Sequence, residues 1–301
     1  MKILVTGASG FIGRYLLREL AAEDHQVWAT MRSDPGIALD DVKILRLDFA
    51  DTNWSRHLPA AVDVVIHLAQ SRHYASFPEH VRDIVDINVV ATVALAEWAR
   101  RAGARRFLLA SSGTVYGNSD PVSLETDACR PETMYAASKR SAEVLLGPYS
   151  PHFEVVVMRL FGVYGPDQGR MIIPNIIDGI KKGSEITLAS NIGLRFNPIF
   201  VQDCINAILK LSVAPLRSRY EIFNVAGAEV VTLAEVTALL EQMTGLRANK
   251  RIVPGVPTCL VGGVDKLRRE LGFDSFISVR NGLEAVVAAA RRAAPGERNG
   301  L

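Results

Sequence analysis

Tyr135 and Lys139 stand four residues apart in the run Tyr135-Ala136-Ala137-Ser138-Lys139, a spacing that puts a phenol and an ammonium on one face of a helix. Such a pair can do proton chemistry. Ser112, in the run Ser111-Ser112-Gly113-Thr114-Val115-Tyr116-Gly117, closes an apolar stretch that reads as a strand, so its hydroxyl can converge with the Tyr135 phenol on one substrate oxygen. A tyrosine and a lysine at this spacing also occur together by chance. The weight therefore falls on the elements around them.

Residues 2–6 are a short apolar run ending in Thr6-Gly7-Ala8-Ser9-Gly10-Phe11-Ile12-Gly13, after which Tyr15, Leu16, Leu17 and Leu20 recur at helical spacing. This is strand, glycine loop, helix. Gly7 allows the tight turn, Gly10 lets the backbone approach a pyrophosphate, and Gly13 lets the helix pack on the strand. The free N–H groups where the helix starts, at Phe11, Ile12 and Gly13, meet the phosphates. The spacing is GxxGxxG rather than GxGxxG. A second strand over residues 26–31 ends where such a unit holds the adenosine ribose. Met31 cannot accept a hydrogen bond from a ribose diol, whereas Arg32 and Ser33 can hold a 2′-phosphate. NADP is therefore the preferred cofactor. NAD is the alternative, with Asp34 then serving the ribose.

Further strands are predicted over 42–47, 62–68, 106–110 and 154–160. Their C-terminal ends collect at the crevice of an open parallel sheet, which puts Asp48 and Phe49 beside the adenine and Leu68, Ala69 and Gln70 beside the pyrophosphate and ribose. In the long helix after the fourth strand, Ile87, Val90, Ala91, Ala94, Leu95 and Trp98 form a core stripe. Asn88, polar among them, reads as a satisfied buried amide bridging helix and sheet, as part of a proton and water relay, or as both. Strict alternation stops near residue 165; beyond it strands are predicted at 186–188 and 222–225 and helices over 174–182, 202–211, 233–244 and 279–292. The expected fold is α/β: a Rossmann-type doubly wound parallel sheet over 1–165, to which part of 196–226 returns. A smaller mixed substrate-binding part follows over 166–294, then a loose tail over 295–301.

The 301 residues, 49% hydrophobic and 22% charged, suit a globular protein with a large core. A net charge of +2 with scattered cations carries no signature of nucleic acid or a membrane surface as partner. The apolar start is too short for a signal peptide and no run approaches a membrane span, so a cytoplasmic location and a small-molecule substrate are expected. Cys129, Cys204 and Cys259 lie far apart without CxxC spacing and read as reduced thiols. The six histidines do not cluster at ligand spacing, so no metal is expected.

Taken in order, Thr6 through Gly13, Asp48, His67-Leu68-Ala69, Asn88, Ser111 through Gly117, Tyr135 through Lys139, Arg159 through Pro166, Asn197 through Asp203 and Phe223-Asn224-Val225 resemble the extended short-chain dehydrogenase/reductase family, in its branch of NAD(P)-dependent epimerases, dehydratases and reductases of sugar nucleotides. The likeness spans nearly the whole chain. It implies that Tyr135 is the general acid and base, that Ser112 steadies the reacting oxygen and that Lys139 holds the nicotinamide ribose. It also implies that Asn88, Leu160 and Val163 join the cofactor site. An ammonium ~4 Å from a phenol of pKa about 10 contributes about 4 kcal/mol at an effective dielectric of 20, roughly three pKa units. Lys139, helped by an oxidised nicotinamide, is thus expected to bring Tyr135 near neutral pH. A homodimer through the helices near 83–101 and 135–149 is implied as well.

Departures from the family narrow the reaction. Gly113 and Thr114 stand where 4,6-dehydratases carry Asp-Glu, which disfavours dehydration. Gly162 stands where UDP-sugar 4-epimerases place an Asn on the diphosphate, and Arg195 is displaced from the position of a phosphate-clamping Arg. These residues, with Asn197, mark the expected substrate end and count against a nucleotide sugar. Ala29-Thr30-Met31-Arg32 resembles reductases of flavonoid-like ketones, while Arg159 through Pro166 resembles the sugar-processing branch. The expected function is hydride transfer at a hydroxyl or keto carbon of a sugar nucleotide or related sugar, by epimerisation or by reduction. The alternatives are an NADPH-dependent reductase of a non-sugar carbonyl and a non-catalytic NADP-binding sensor or scaffold.

Overall fold

The computed structural model describes residues 1–32, 42–51, 53–118, 122–169 and 171–292. The first part alternates strand and helix: β1 (Lys2–Thr6), α1 (Phe11–Ala21), β2 (Gln26–Met31), β3 (Val42–Arg46), β4 (Val64–His67) and α2 (Val81–Val85). A π-helical turn (Asp86–Val90) leads into α3 (Ala91–Arg101), followed by β5 (Arg106–Ser112), α4 (Met134–Leu146) and β6 (Glu154–Leu160). The second part is mixed: α5 (Ile172–Lys182), β7 (Glu185–Ala189), β8 (Arg195–Phe196), α6 (Val201–Val213), β9 (Tyr220–Val225) and β10 (Val231–Thr232). It ends with α7 (Leu233–Thr244), β11 (Asn249–Val253), β12 (Cys259–Leu260), α8 (Asp265–Leu271) and α9 (Val279–Arg292).

Seven strands form one sheet in the order β3-β2-β1-β4-β5-β6-β9, every neighbouring pair parallel. The expected doubly wound sheet is present. Because strand side chains alternate between faces, Ile3 and Val5, Val64 and Ile66, Leu108, and Val156 and Met158 join one core with α1 and α6. Leu4, Val65, Phe107, Leu109, Val155 and Val157 join the other with α3 and α4. Burial on both faces is why these strands read as continuous apolar runs rather than alternating ones. The chain turns back between β1 and β4, so the crevice opens above the C-terminal ends of these two strands.

β9 pairs with β6 and completes the sheet, in the return anticipated for part of 196–226. A separate core of α5, β7, α7 and α9 packs Ile173, Ile176, Ile177, Leu188, Val236, Leu240, Leu283 and Val287 together. Helix α7 starts where predicted because Thr232 and Glu235 make a reciprocal capping box. Two-residue β8, β10 and β12 form a three-stranded sheet, and β7 pairs in parallel with β11; β8, β10, β11, β12 and α8 were not predicted, since runs this short or this exposed carry no periodic signal. The helical stripe also differs from expectation: Ile87, Ala91 and Leu95 are buried, but Val90 is 56% exposed and Ala94 faces outward with it, four residues on. Among the described residues no helix is long and apolar enough to cross a membrane. The tail over 295–301 lies outside the described residues.

Candidate active site

The crevice is a cleft of about 240 Å³ lined by Gly7, Ser9 and Gly10 from the glycine loop, Thr30, Met31 and Arg32 from the end of β2, Asp48 and Phe49 after β3, and Leu68, Ala69 and Gln70 after β4. Sequence had placed nearly all of these here. Gly7 has φ +67, and a Cβ on it would meet Ala69 N at 2.6 Å; one on Gly13 would meet Gly7 O at 2.5 Å. Only glycine lets the loop turn this tightly between two strand ends. Helix α1 begins at Phe11 with no side-chain cap and no acid in its first turn, so its first N–H groups and its dipole favour an anion at the cleft. Thr30 Oγ1 is buried and has no hydrogen-bond partner among the described residues. An uncapped helix start, a glycine cradle and an orphaned hydroxyl fit a bound dinucleotide with its pyrophosphate over the loop.

The proton-transfer candidates adjoin the cleft behind Gln70 and Tyr74 of its lining. Thr133 Oγ1 caps α4 by accepting from Ala136 N at 3.1 Å, which starts the helix just before Tyr135 and aims Tyr135 and Lys139 at the end of β5. The Tyr135 hydroxyl donates to Gln70 Oε1 at 3.3 Å, with the Ser112 side chain near enough to favour its ionised form. Ser112 Oγ also lies 2.9 Å from Thr114 Oγ1. Lys139 is buried, and its Nζ donates to Ala110 O at 3.0 Å.

Burial decides the ionisation here. It pushes the Tyr135 phenol up to about 12, the Ser112 hydrogen bond opposing it, and pushes the Lys139 ammonium down to about 8, with Glu143 opposing. The expectation that Lys139 brings Tyr135 near neutral pH is corrected for the protein alone: burial is the dominant influence, and the Lys139 ammonium, 5.8 Å from the Tyr135 ring centroid, is not among the groups that lower the phenol.

Residues 3–226 match the NAD dependent epimerase/dehydratase family. The chain belongs to that family. Its relatives include the uncharacterized UDP-glucose epimerase YtcB of Bacillus subtilis, 28% identical with 96% of this chain and 97% of the relative covered. A dTDP-4-dehydro-6-deoxy-D-allose reductase of a Streptomyces species is 29% identical, with 94% of each chain covered. Among solved structures, MoeE5 in complex with UDP-glucuronic acid and NAD is 28% identical at a TM-score of 0.86, covering 97% of this chain and 99% of that one. The UDP-glucuronic acid 4-epimerase of Bacillus cereus, with UDP-glucuronic acid and NAD, is 25% identical at a TM-score of 0.87 with the same coverage. The NAD dependent epimerase/dehydratase chain described here is thus an enzyme of the extended short-chain dehydrogenase/reductase type.

Several expected epimerase-family ligands serve other ends. Asn88, expected at the cofactor, is 2% exposed in the π-helical turn: its Oδ1 accepts from Ser71 N at 2.8 Å and its Nδ2 donates to Ser138 Oγ at 3.0 Å. Its amide is buried and satisfied, which fits the first of the two compatible readings. Asn197 is corrected from substrate contact to structural tie, because its Nδ2 donates to Gly227 O and Gly262 O and its Oδ1 accepts from Gly262 N. Arg195 lies in β8, away from the cleft lining. Phe11, Ile12, Leu160 and Val163 turn their side chains to the sheet core, which leaves only backbone at Phe11 and Ile12 to meet a phosphate. Ser33 and Asp34 lie outside the described residues.

Gly162 has φ +54, a conformation that glycine and asparagine tolerate best. Gly113 faces the ring of Phe161: a Cβ there would meet it at 2.5 Å, and a Cβ on Gly262 would meet the same ring at 2.6 Å. An acid at 113 has no room. Sequence reasoning missed Ser71, Arg72, Tyr74 and Asp83, all of which line the cleft. Tyr74 lies 5.4 Å, ring to ring, from Tyr135, and its hydroxyl donates to Met171 Sδ at 3.3 Å. The proximity of 71–74 to the strand end at His67 was the available signal.

Because the phenol of Tyr135 is held up to about 12, it stays protonated through the neutral range in the ligand-free enzyme. The near-ultraviolet difference spectrum of wild type minus Tyr135→Phe is expected to show no phenolate band up to about pH 10, the ordinary tyrosine midpoint. A phenolate band at neutral pH would contradict the dominance of burial.

Proposed function

We propose that this enzyme moves hydride between a nicotinamide dinucleotide and a hydroxyl or keto carbon of a nucleotide-diphosphate sugar or related sugar, with Tyr135 giving and taking the proton at the sugar oxygen. The observation that carries the reading is that Tyr135, with Ser112 beside it, bonds Gln70, which lines the same cleft as the glycine loop. The relatives named above, matched over more than nine tenths of the chain, support a sugar nucleotide as substrate. Arg72, a cation lining the same cleft, is suited to a phosphate group.

When bound, the dinucleotide supplies the hydride acceptor or donor and, oxidised, a positive charge beside Tyr135. Ser112 donates to the substrate oxygen and holds it within reach of the Tyr135 hydroxyl, while Thr114 orients Ser112 from the far side. As a neutral phenol, Tyr135 is ready to protonate an alkoxide, the reduction direction. Abstraction of a proton needs the added cation.

Epimerisation is favoured by the relatives named as epimerases and reduction by Arg32 and the Streptomyces reductase. Incubation with UDP-glucuronic acid or UDP-glucose, followed by NMR of the sugar, is expected to give a 4-epimer with cofactor retained if the first holds. A stoichiometric demand for NADPH on the keto sugar marks the second. In either, Tyr135→Phe is expected to lower kcat about 10²- to 10⁴-fold with dinucleotide affinity kept. Unchanged turnover would remove Tyr135 from the chemistry and move the protein towards a binding role.

Arg32, in the cleft beside a buried Met31 at the end of β2, supports NADP; the similar structures were solved with NAD. Arg32→Ala is expected to weaken NADP about 10- to 100-fold, the worth of one or two charge-assisted hydrogen bonds, and to leave NAD unchanged. Tighter NAD binding by wild type, together with no effect of the substitution, would assign the cofactor as NAD.

A homodimer is proposed through the adjoining outer faces of α4 and of the π-helical turn leading into α3, where Val144 and Leu145 on α4 and Val90 in the turn are 55%, 42% and 56% exposed. Val144→Glu is expected to give a monomer in sedimentation velocity. A monomeric wild type at micromolar concentration would dispose of the interface.

A further inference from the structure

We propose that Glu143 is a positioning residue for the proton-transfer group, setting the charge on Lys139 through space and fixing the strand end that carries Ser112. The proposal rests on the reading of Ser112, Tyr135 and Lys139 as that group. Glu143 is fully buried on α4, one helical turn beyond Lys139. Its Oε1 accepts from Ser111 Oγ at 2.5 Å and from Arg159 Nε at 3.1 Å, and its Oε2 accepts from Arg159 Nη2 and Arg140 Nη1, each at 2.8 Å. Ser111 directly precedes Ser112 in β5, and Ala110 before it takes the hydrogen bond from Lys139. A single carboxylate thus ties the catalytic helix to the catalytic strand and, through Arg159, to β6.

The hydrogen bonds alone do not require a charge, since a glutamine amide oxygen also accepts from Ser111 and Arg159. A carboxylate out of water is costly, and its presence here has an electrostatic consequence for Lys139. The other groups around Lys139 are neutral or compensated. His67, from β4, is held neutral because burial pushes it down to about 3. Tyr135 on α4 and Tyr116 after β5 are each pushed up to about 12 by burial. From the helical run packed on α4, Asp83 is hydrogen-bonded by Ser71 and Asp86 is paired with Arg82. Asn88 and Ser138 carry no charge. Glu143 is the group that opposes burial and keeps the ammonium up, as far as about 8. Arg140, which is 36% exposed, and buried Arg159 temper it.

The test is an NMR titration of isotope-labelled lysine side chains in the full-length protein, with Lys139 assigned by the peak lost in Lys139→Met. Charges at helical i, i+4 spacing, about 6 Å apart at an effective dielectric of 20, exchange up to about two pKa units. Glu143→Gln is expected to lower the Lys139 midpoint by about one pH unit or more, and Glu143→Asp to restore most of it. Arg140→Gln removes a half-exposed cation without orphaning a buried charge, so it is expected to fold and to raise the midpoint. Should Glu143→Gln fail to fold, Arg140→Gln decides alone. A midpoint that stays put in the variants that fold overturns the proposal. The pH profile of turnover or of hydride exchange is expected to shift with the midpoint. If the Lys139 midpoint moves and the profile does not, Glu143 sets the charge as proposed, and it is the assignment of Tyr135 and Lys139 to proton transfer that fails.

Discussion

A chain of buried hydrogen bonds holds the glycine loop and Tyr135 in register. Thr6 Oγ1, one residue before the glycine loop, bonds His67 Nδ1 at 2.6 Å; His67 Nε2 bonds Thr92 Oγ1 at 2.9 Å; and Thr92 donates to the Asn88 carbonyl at 2.8 Å. Asn88 then reaches Ser138, whose hydroxyl donates to the carbonyl of Tyr135 itself at 2.7 Å. Thr6, His67, Thr92, Asn88 and Ser138 are buried, so each would incur a desolvation cost if its partner were lost. The π-helical turn that contains Asn88 is where this chain passes from sheet to helix, a place where the ordinary ladder of i→i−4 bonds is already interrupted. Loop, strand, helix and Tyr135 are therefore not independently placed.

The same burial that makes this wiring rigid sets the chemistry. A proton-transfer pair on one helix face would, in water, lower the phenol and leave the ammonium high. Here both groups lie against a packed sheet, and desolvation moves them the other way, with Tyr135 up and Lys139 down. The ligand-free enzyme is thus held in the neutral-phenol form, and the charge balance at Lys139 falls to Glu143 and its two arginines.

Most of the architecture was legible in the sequence for a physical reason. Strands buried on both faces announce themselves as apolar runs, and Lys2–Thr6, Gln26–Met31 and Glu154–Leu160 match prediction at both ends. The glycine loop and the strand-end residues Asp48, Phe49, Leu68, Ala69 and Gln70 were equally readable, because a parallel sheet sends its C-terminal ends to one crevice. What sequence did not disclose depends on three-dimensional neighbours. Asn197 looks like a ligand in one dimension and is a tie between Gly227 and Gly262 in three. Glu143 looks like a surface acid on a helix, yet it lies beneath Arg159. Spacing says that Tyr135 and Lys139 share a face, but not how dry that face is.

Phe161 is packed between Gly113 on one side and Gly262 on the other, each too close to accept a Cβ without the ring moving. This arrangement ties the identity of one substrate-side residue to two others distant in sequence. An acid introduced at Gly113 would clash unless Phe161 shrank first, and a smaller residue at 161 would leave a void beside Gly262 until that glycine grew. The three positions are sterically coupled, so single substitutions at 113, 161 or 262 pass through states that are overpacked or hollow. Steric history, as much as selection on activity, can keep a lineage on one reaction of its family.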